Sequence, residues 1–235
     1  NVMAGNADTL PITVDQMIYH ARSVARACQH AFVVCDMPFG SYQVSKEEAL
    51  RNACRMMKET GVDALKLEGG VEICETVKAL VNAGIPVHGH LGLTPQSVNK
   101  FGGYGIRAKE EAEAQKLISD AIALDDAGCF AIVLEKVPAK LAAEVSKKVK
   151  AVTIGIGAGN GCDGQVLVMH DVLGIEDRMA PKFVRRYADI KAVSVDALRA
   201  FAADVRGGEF PSAAESYHLS AEQAEQLALY GSRPA

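Results

Sequence analysis

The sequence predicts an α/β fold built on a parallel sheet, and three observations predict it. Between residues 13 and 156, short apolar runs alternate with amphipathic stretches of helical period. The run "AFVVCD" is nearly continuous in apolar residues, the pattern of a strand covered on both faces. Consecutive strands separated by helices imply right-handed crossovers and parallel pairing, in a sheet either open or closed into a barrel.

"TVDQMIYHARSVARACQ" opens the series. Thr13 with Gln16 three residues on forms a capping box, and Val14, Met17, Ile18, Ala21, Val24 and Ala25 share one helical face. "AFVVCD" (31–36) is the first strand. The helix "SKEEALRNACRMMKETG" follows, capped by Ser45 with Glu48 at the third position and stopped near Gly61. "DALKLE" (63–68), "IPVHGH" (85–90), "FAIVLE" (130–135) and "AVTIGI" (151–156) are further strands, separated by stretches such as "EICETVKALVNAG" and "EAEAQKLISDAIALDDAG". A sixth strand is weakly indicated at "APKFV" (180–184), where Pro181 counts against it. From about residue 194 the pattern is helical, with "SVDALRAFAADVRGG", a turn at "EFPS", and "SAEQAEQLALYG" capped by Ser220 and Gln223.

A chain of 235 residues without linker, repeat or low-complexity tract reads as one domain over residues 1–235. With net charge −4 and no basic stripe, it carries no electrostatic footprint for nucleic acid. The six cysteines (Cys28, Cys35, Cys54, Cys74, Cys129, Cys162) contain no CxxC pair and read as reduced thiols of a cytoplasmic protein. No apolar stretch reaches the ~18 residues of a membrane span, so no membrane partner is expected.

In parallel α/β folds chemistry gathers at the C-terminal edge of the sheet, because every following loop opens there. The apolar runs end on Asp36, Glu68, His90 and Glu135, with Lys66 two residues before Glu68 on the same side of its strand. Three carboxylates and an imidazole on one rim suit a hard divalent cation, Mg²⁺ rather than zinc, and leave one carboxylate as a general base. Any one such charge serves equally well to keep the rim solvated; four in four strands point to a site. His88 shares its face with His90 and reads as a layer residue inside the sheet, His20, His30 and His218 as surface or capping side chains, and His170 as structural. "GIGAGNGCDGQ" has GxGxxG spacing, but it lies late and lacks the long helix and following acidic residue of a dinucleotide site. Its glycines read as letting the backbone approach an anionic or flat ligand.

Six longer stretches carry a family resemblance: "TLPITVDQMIYH", "CDMPFGSY", "LKLEGG", "VHGHLGLTPQSVNKFGGY", "IVLEKVP" and "IGIGAGNGCDGQVLVMHDVLG". Spread from the start of the chain to about residue 174, they resemble the ketopantoate hydroxymethyltransferases. The resemblance implies a (β/α)₈ TIM barrel of pantothenate biosynthesis that moves a one-carbon unit from 5,10-methylenetetrahydrofolate to 3-methyl-2-oxobutanoate with Mg²⁺. It implies Asp36 and Glu68 as metal ligands, Asp36, Lys66 and His90 as substrate-binding residues, and Glu135 as the catalytic proton acceptor. The glycine-bearing "NKFGGY" reads as a mobile lid over the substrate. The resemblance further implies a cytoplasmic homo-oligomer, with a decamer as the stoichiometry; Leu227 and Leu229 of the last helix would serve assembly if they face outward.

The family also carries an acidic "GDS" strand end before the stretch that here begins "NVMAGNADTLP", with its Asp a metal ligand. The expectation is therefore that the first βα units of the barrel and one Asp ligand lie upstream of residue 1. Two other readings compete. One is a Mg²⁺-dependent barrel lyase of the phosphoenolpyruvate mutase and isocitrate lyase type, against which stands the lack of a "KKCGH"-like cysteine loop. The other is a non-catalytic barrel protein with an incomplete metal site.

Overall fold

The computed structural model describes residues 3–176, 181–220 and 222–224. They form two compact units, one of residues 3–169 with 181–185, the other of residues 170–176, 186–220 and 222–224.

The first unit runs α1 (Val14–Ala27), β1 (Val34–Asp36), α2 (Lys46–Thr60), β2 (Ala64–Glu68), α3 (Cys74–Asn82), β3 (Val87–Gly92), α4 (Val98–Phe101), α5 (Glu111–Asp126), β4 (Ala131–Glu135), α6 (Ala139–Ser146), β5 (Val152–Ile156) and β6 (Gly164–Gln165). All six strands pair in parallel and in chain order, as a curled sheet with β1 and β6 at its edges. The parallel α/β expectation holds. The strand count among the described residues is six, not the eight of a closed barrel.

Local chemistry sets the helix ends as the sequence indicates. Thr13 and Gln16 exchange side-chain hydrogen bonds with each other's backbone N–H at the start of α1. Ser45 accepts from the Glu48 N–H at the start of α2, and Gly61 closes that helix at φ +76°.

Strand register divides the side chains between two faces. Cys35, Leu65, Val87, Ile132 and Leu134 lie on the face towards the helices, where Ala49, Ala53 and Met56 of α2, Val77 and Leu80 of α3, and Leu117, Ala121 and Leu124 of α5 join them in one core. Each fully buried Leu there contributes roughly 2 kcal/mol of transfer free energy. Gly89 sits in this face because a Cβ would come within 2.9 Å of Leu124. The opposite face carries Asp36, Lys66, Glu68, His88, His90 and Glu135, and at β5 it is open: Val152 is 48% exposed. The expectation that residues 31–36 form a strand covered on both faces fails: only Val34–Asp36 is strand, Val34 and Asp36 are half-buried, and Phe32 is exposed.

Two further sequence readings are corrected. Residues 181–184 are not a strand; the Val184 N–H closes a turn on the Pro181 carbonyl at 2.9 Å, seating Phe183 against Gly157. The sixth strand is β6 instead, two residues long and too short to leave a hydrophobic pattern. The glycines of "GIGAGNGCDGQ" do let the backbone approach closely, but what they approach is α6: a Cβ would fall 2.3 Å from Ala139 Cβ at Gly159 and 2.6 Å from Ala143 Cβ at Gly161. Asp163 then clasps the loop to β5, its Oδ2 accepting from both the N–H and the hydroxyl of Thr153 at 2.8 Å.

In the second unit, α7 (Met169–Val172, shared with the first) precedes α8 (Ile190–Gly207), which begins earlier than the expected residue 194 because Asp189 caps it through the Ala192 N–H at 3.0 Å. Ser220 and Gln223 form the expected reciprocal pair. Leu227 and Leu229 lie outside the described residues.

Gly159→Val places a β-branched side chain at φ +76° against Ala139, and unfolding by urea should show a loss of about 3 kcal/mol. Gly61→Ala, at the same φ but with open space around the new Cβ, should lose only about 1 kcal/mol.

Candidate active site

The four strand-end groups stand at the C-terminal ends of β1 to β4 on the face away from the helices. Register brings Asp36 beside Lys66 and Glu68 beside His90, while Glu135 stands beside Gly92, two residues beyond His90. Gly92 has φ +87°, and a Cβ on it would lie 2.3 Å from the Glu135 carbonyl oxygen, so glycine is what lets β3 close on β4 next to Glu135.

His90 is 2% exposed and stands between two carboxylates. Its Nδ1 lies 3.5 Å from Glu68 Oε1 and its Nε2 3.2 Å from Glu135 Oε2. These are ion-pair distances; neither nitrogen has the alignment of a well-formed hydrogen bond. Burial and then Lys66 push the His90 pKa down, but Glu135 and Glu68 outweigh them and hold it above the ordinary histidine value.

Lys66 pairs with Asp36 at 2.9 Å, its side chain mostly buried and that of Asp36 43% exposed. Burial works against the ammonium, and Asp36, with Glu68 and Glu135 behind it, more than offsets this and raises the Lys66 pKa. One rim therefore holds an ammonium and an imidazole interleaved with three carboxylates.

His88 lies one layer below, beside Lys66 in the register, its ring 5.6 Å from that of Phe130. Burial, reinforced by Lys66, lowers its pKa to about 4, so it is neutral at pH 7. That agrees with a layer residue rather than a ligand.

Two residues not singled out from the sequence build the walls. The buried Tyr42 hydroxyl accepts from the Glu68 N–H at 3.1 Å and donates to Gln96 Oε1 at 2.7 Å, with the Glu68 carbonyl 3.2 Å away. Burial first, and then the Glu68 and Asp36 charges, hold this phenol well above its ordinary pKa. Gln96 donates its backbone N–H to Glu68 Oε2 and its side-chain amide to the Met37 carbonyl, both at 2.8 Å. The loops after β1 and β3 are thus tied across β2, and Glu68 is fixed in place. Both residues lie in the stretches "CDMPFGSY" and "GHLGLTPQ", but only the fold shows that they meet. A cavity of about 410 Å³ opens beside them, lined by Phe39, Glu68, Gly92, Lys100, Phe101 and Arg107 among others.

Among the described residues, no three His, Cys, Asp or Glu side chains converge closely enough to form a metal site by themselves. Asp36 and Glu68 offer hard oxygen donors on one face, as Mg²⁺ prefers, but two rather than a complete set.

A parallel βα sheet with acid, base and cation gathered at its C-terminal edge defines an enzyme-like α/β protein of the barrel type. A Burkholderia cenocepacia J2315 structure classed with the phosphonomutases shares this fold, with TM-score 0.51 and 14% identity over 88% of this chain and 80% of that one. The chain belongs to the ketopantoate hydroxymethyltransferase family, whose pattern matches residues 1–213. It is 58% identical to a 3-methyl-2-oxobutanoate hydroxymethyltransferase of Flavobacterium johnsoniae and 59% identical to one of Christiangramia forsetii. Each match covers 92% of this chain and 80% of the relative.

Tyr42→Phe leaves the Glu68 N–H without its acceptor and should destabilise the fold by about 2 kcal/mol in urea titration. His88 gives a pH dependence with a defined sign. Its native pKa of about 4 lies below the 6.5 of an unperturbed histidine, so the unfolded chain takes up a proton that the native chain refuses. That contribution is present above pH 6.5, falls as pH drops towards 4, and amounts to on the order of 3 kcal/mol. His88→Gln should flatten this part of the acid limb of unfolding free energy against pH.

Proposed function

We propose that the chain transfers a hydroxymethyl group from 5,10-methylenetetrahydrofolate to 3-methyl-2-oxobutanoate, giving ketopantoate, with Glu135 as the base. Family membership and identities near 58% to enzymes of that name support the reaction. The single observation that supports the assignment of roles is the rim itself. An acceptor carboxylate at Glu135 and a mostly buried Lys66 ammonium paired with Asp36 lie on the same face, with His90 between Glu68 and Glu135.

In this reading Lys66 and His90 orient the keto acid, the ammonium drawing its carboxylate or 2-oxo oxygen to the sheet edge. Glu135 accepts the proton from C3, and the electron pair released there forms the new carbon–carbon bond to the folate-borne carbon. Water supplies the hydroxyl oxygen and tetrahydrofolate departs. His90, poised against Glu135 Oε2 at 3.2 Å, stabilises that carboxylate before transfer. Asp36 and Glu68 would hold Mg²⁺ together with the further Asp ligand that the family resemblance implies, and the ion would stabilise negative charge developing on the 2-oxo oxygen. The eight-stranded closure, cytoplasmic location and decameric homo-oligomer belong to the same proposal and rest on family resemblance; free thiols at all six cysteines are in keeping with that location.

The test is ketopantoate formation from the two substrates, with and without Mg²⁺. Product should depend on the metal, and Glu135→Gln should lower kcat at least ~100-fold. A fully active Glu135→Gln variant would remove the base assignment, and absence of product from the folded wild type would remove the reaction.

A further inference from the structure

The residue after the proposed base breaks from strand geometry. Lys136 has φ +48°, a left-handed conformation unusual for a residue with a side chain. Its N–H continues the ladder to the Ile156 carbonyl at 2.8 Å, while its own carbonyl turns to accept from the Arg107 N–H at 2.9 Å. Its ammonium donates to the Tyr104 carbonyl. One residue at the end of β4 therefore grips the loop after α4 at two points.

That loop has little else to hold its centre. Gly102, Gly103 and Gly105 flank Tyr104, the first two at φ +68° and +131°, and a Cβ on any of the three would meet nothing within 4 Å. The far end is secured: Arg107 pairs with Glu113 and lies 4.1 Å over the Phe101 ring, and the Ala108 N–H donates to Glu113 Oε2 at 2.7 Å. The near end is secured by α4, where the Gly103 N–H returns to the Val98 carbonyl at 3.2 Å. Between these anchors Tyr104 lies close enough to Glu135 and Asp8 for their charges, after burial, to raise its phenol pKa.

We propose that Lys136 is a positioning residue for the transfer, its ammonium holding the glycine-flanked Tyr104 segment against the Glu135 end of the site. The inference rests on the reaction proposed above for its kinetic half only. Breaking the one ammonium–carbonyl bond frees the centre of the loop while the carbonyl grip on Arg107 and both anchors remain. The loop then lifts on its glycines to admit and release small molecules, and re-forming the bond closes it.

The experiment pairs hydrogen exchange with steady-state kinetics on wild type, Lys136→Ala and Lys136→Arg. In the alanine variant, amides of residues 102–106 should exchange about tenfold faster while those of β4 and α5 keep their wild-type rates. KM for the keto acid should rise about tenfold with kcat within about threefold, the signature of lost binding interactions shared by ground and transition states. Arginine, which retains a donor on a long stem, should restore both. Wild-type exchange at 102–106 in the alanine variant, or acceleration spread evenly over the chain, would overturn the proposal. Local acceleration in a protein whose wild type makes no ketopantoate would support the grip on the loop and remove only the reaction.

Discussion

A buried imidazole set between two carboxylates is the constraint around which the rim is organised. Removing His90, Glu68 and Glu135 from water is costly unless their charges are mutually compensated. The fold supplies that compensation through strand register: adjacent positions on β2 and β3 put Glu68 against one ring nitrogen, and the Gly92 position brings Glu135 against the other. A shift of one residue in either pairing would turn these groups towards the helices, where Leu65, Leu67 and Leu134 now pack. The polar rim and the apolar core therefore specify the same register from opposite faces.

Fixing such a site requires loops that do not drift, and the chain achieves this with hydrogen bonds that cross between elements. Tyr42 and Gln96, from the loops after β1 and β3, meet at Glu68 and satisfy its backbone and one carboxylate oxygen. Lys136 does the same for the loop after α4. Rigid walls and one weakly held segment are the combination a small-molecule enzyme needs, since the reacting groups must stay put while substrate and product exchange.

Much of this was legible in the sequence. The continuous apolar runs located β1 to β5, and reading their last residues found Asp36, Glu68, His90 and Glu135, because in a parallel sheet every C-terminal end opens on one edge. His88 was placed correctly by period two alone. What escaped was short or non-local. β6 has two residues and no pattern to detect, and Pro181 begins a turn rather than a strand. The glycines after β5 announce close backbone approach without saying to what; only the packing of Gly159 and Gly161 on α6 answers that.

The sequence by itself determined the α/β class, the parallel pairing, the helix caps and the residue types at the rim, since these depend on local propensity, periodicity and strand ends. The tertiary structure decided which rim groups touch: Lys66 with Asp36, His90 with both Glu68 and Glu135, Tyr42 with Gln96, Lys136 with Tyr104. Those pairings join residues from different strands and loops, up to 54 positions apart for Tyr42 and Gln96. Only the curl and register of the assembled sheet bring them within bonding distance.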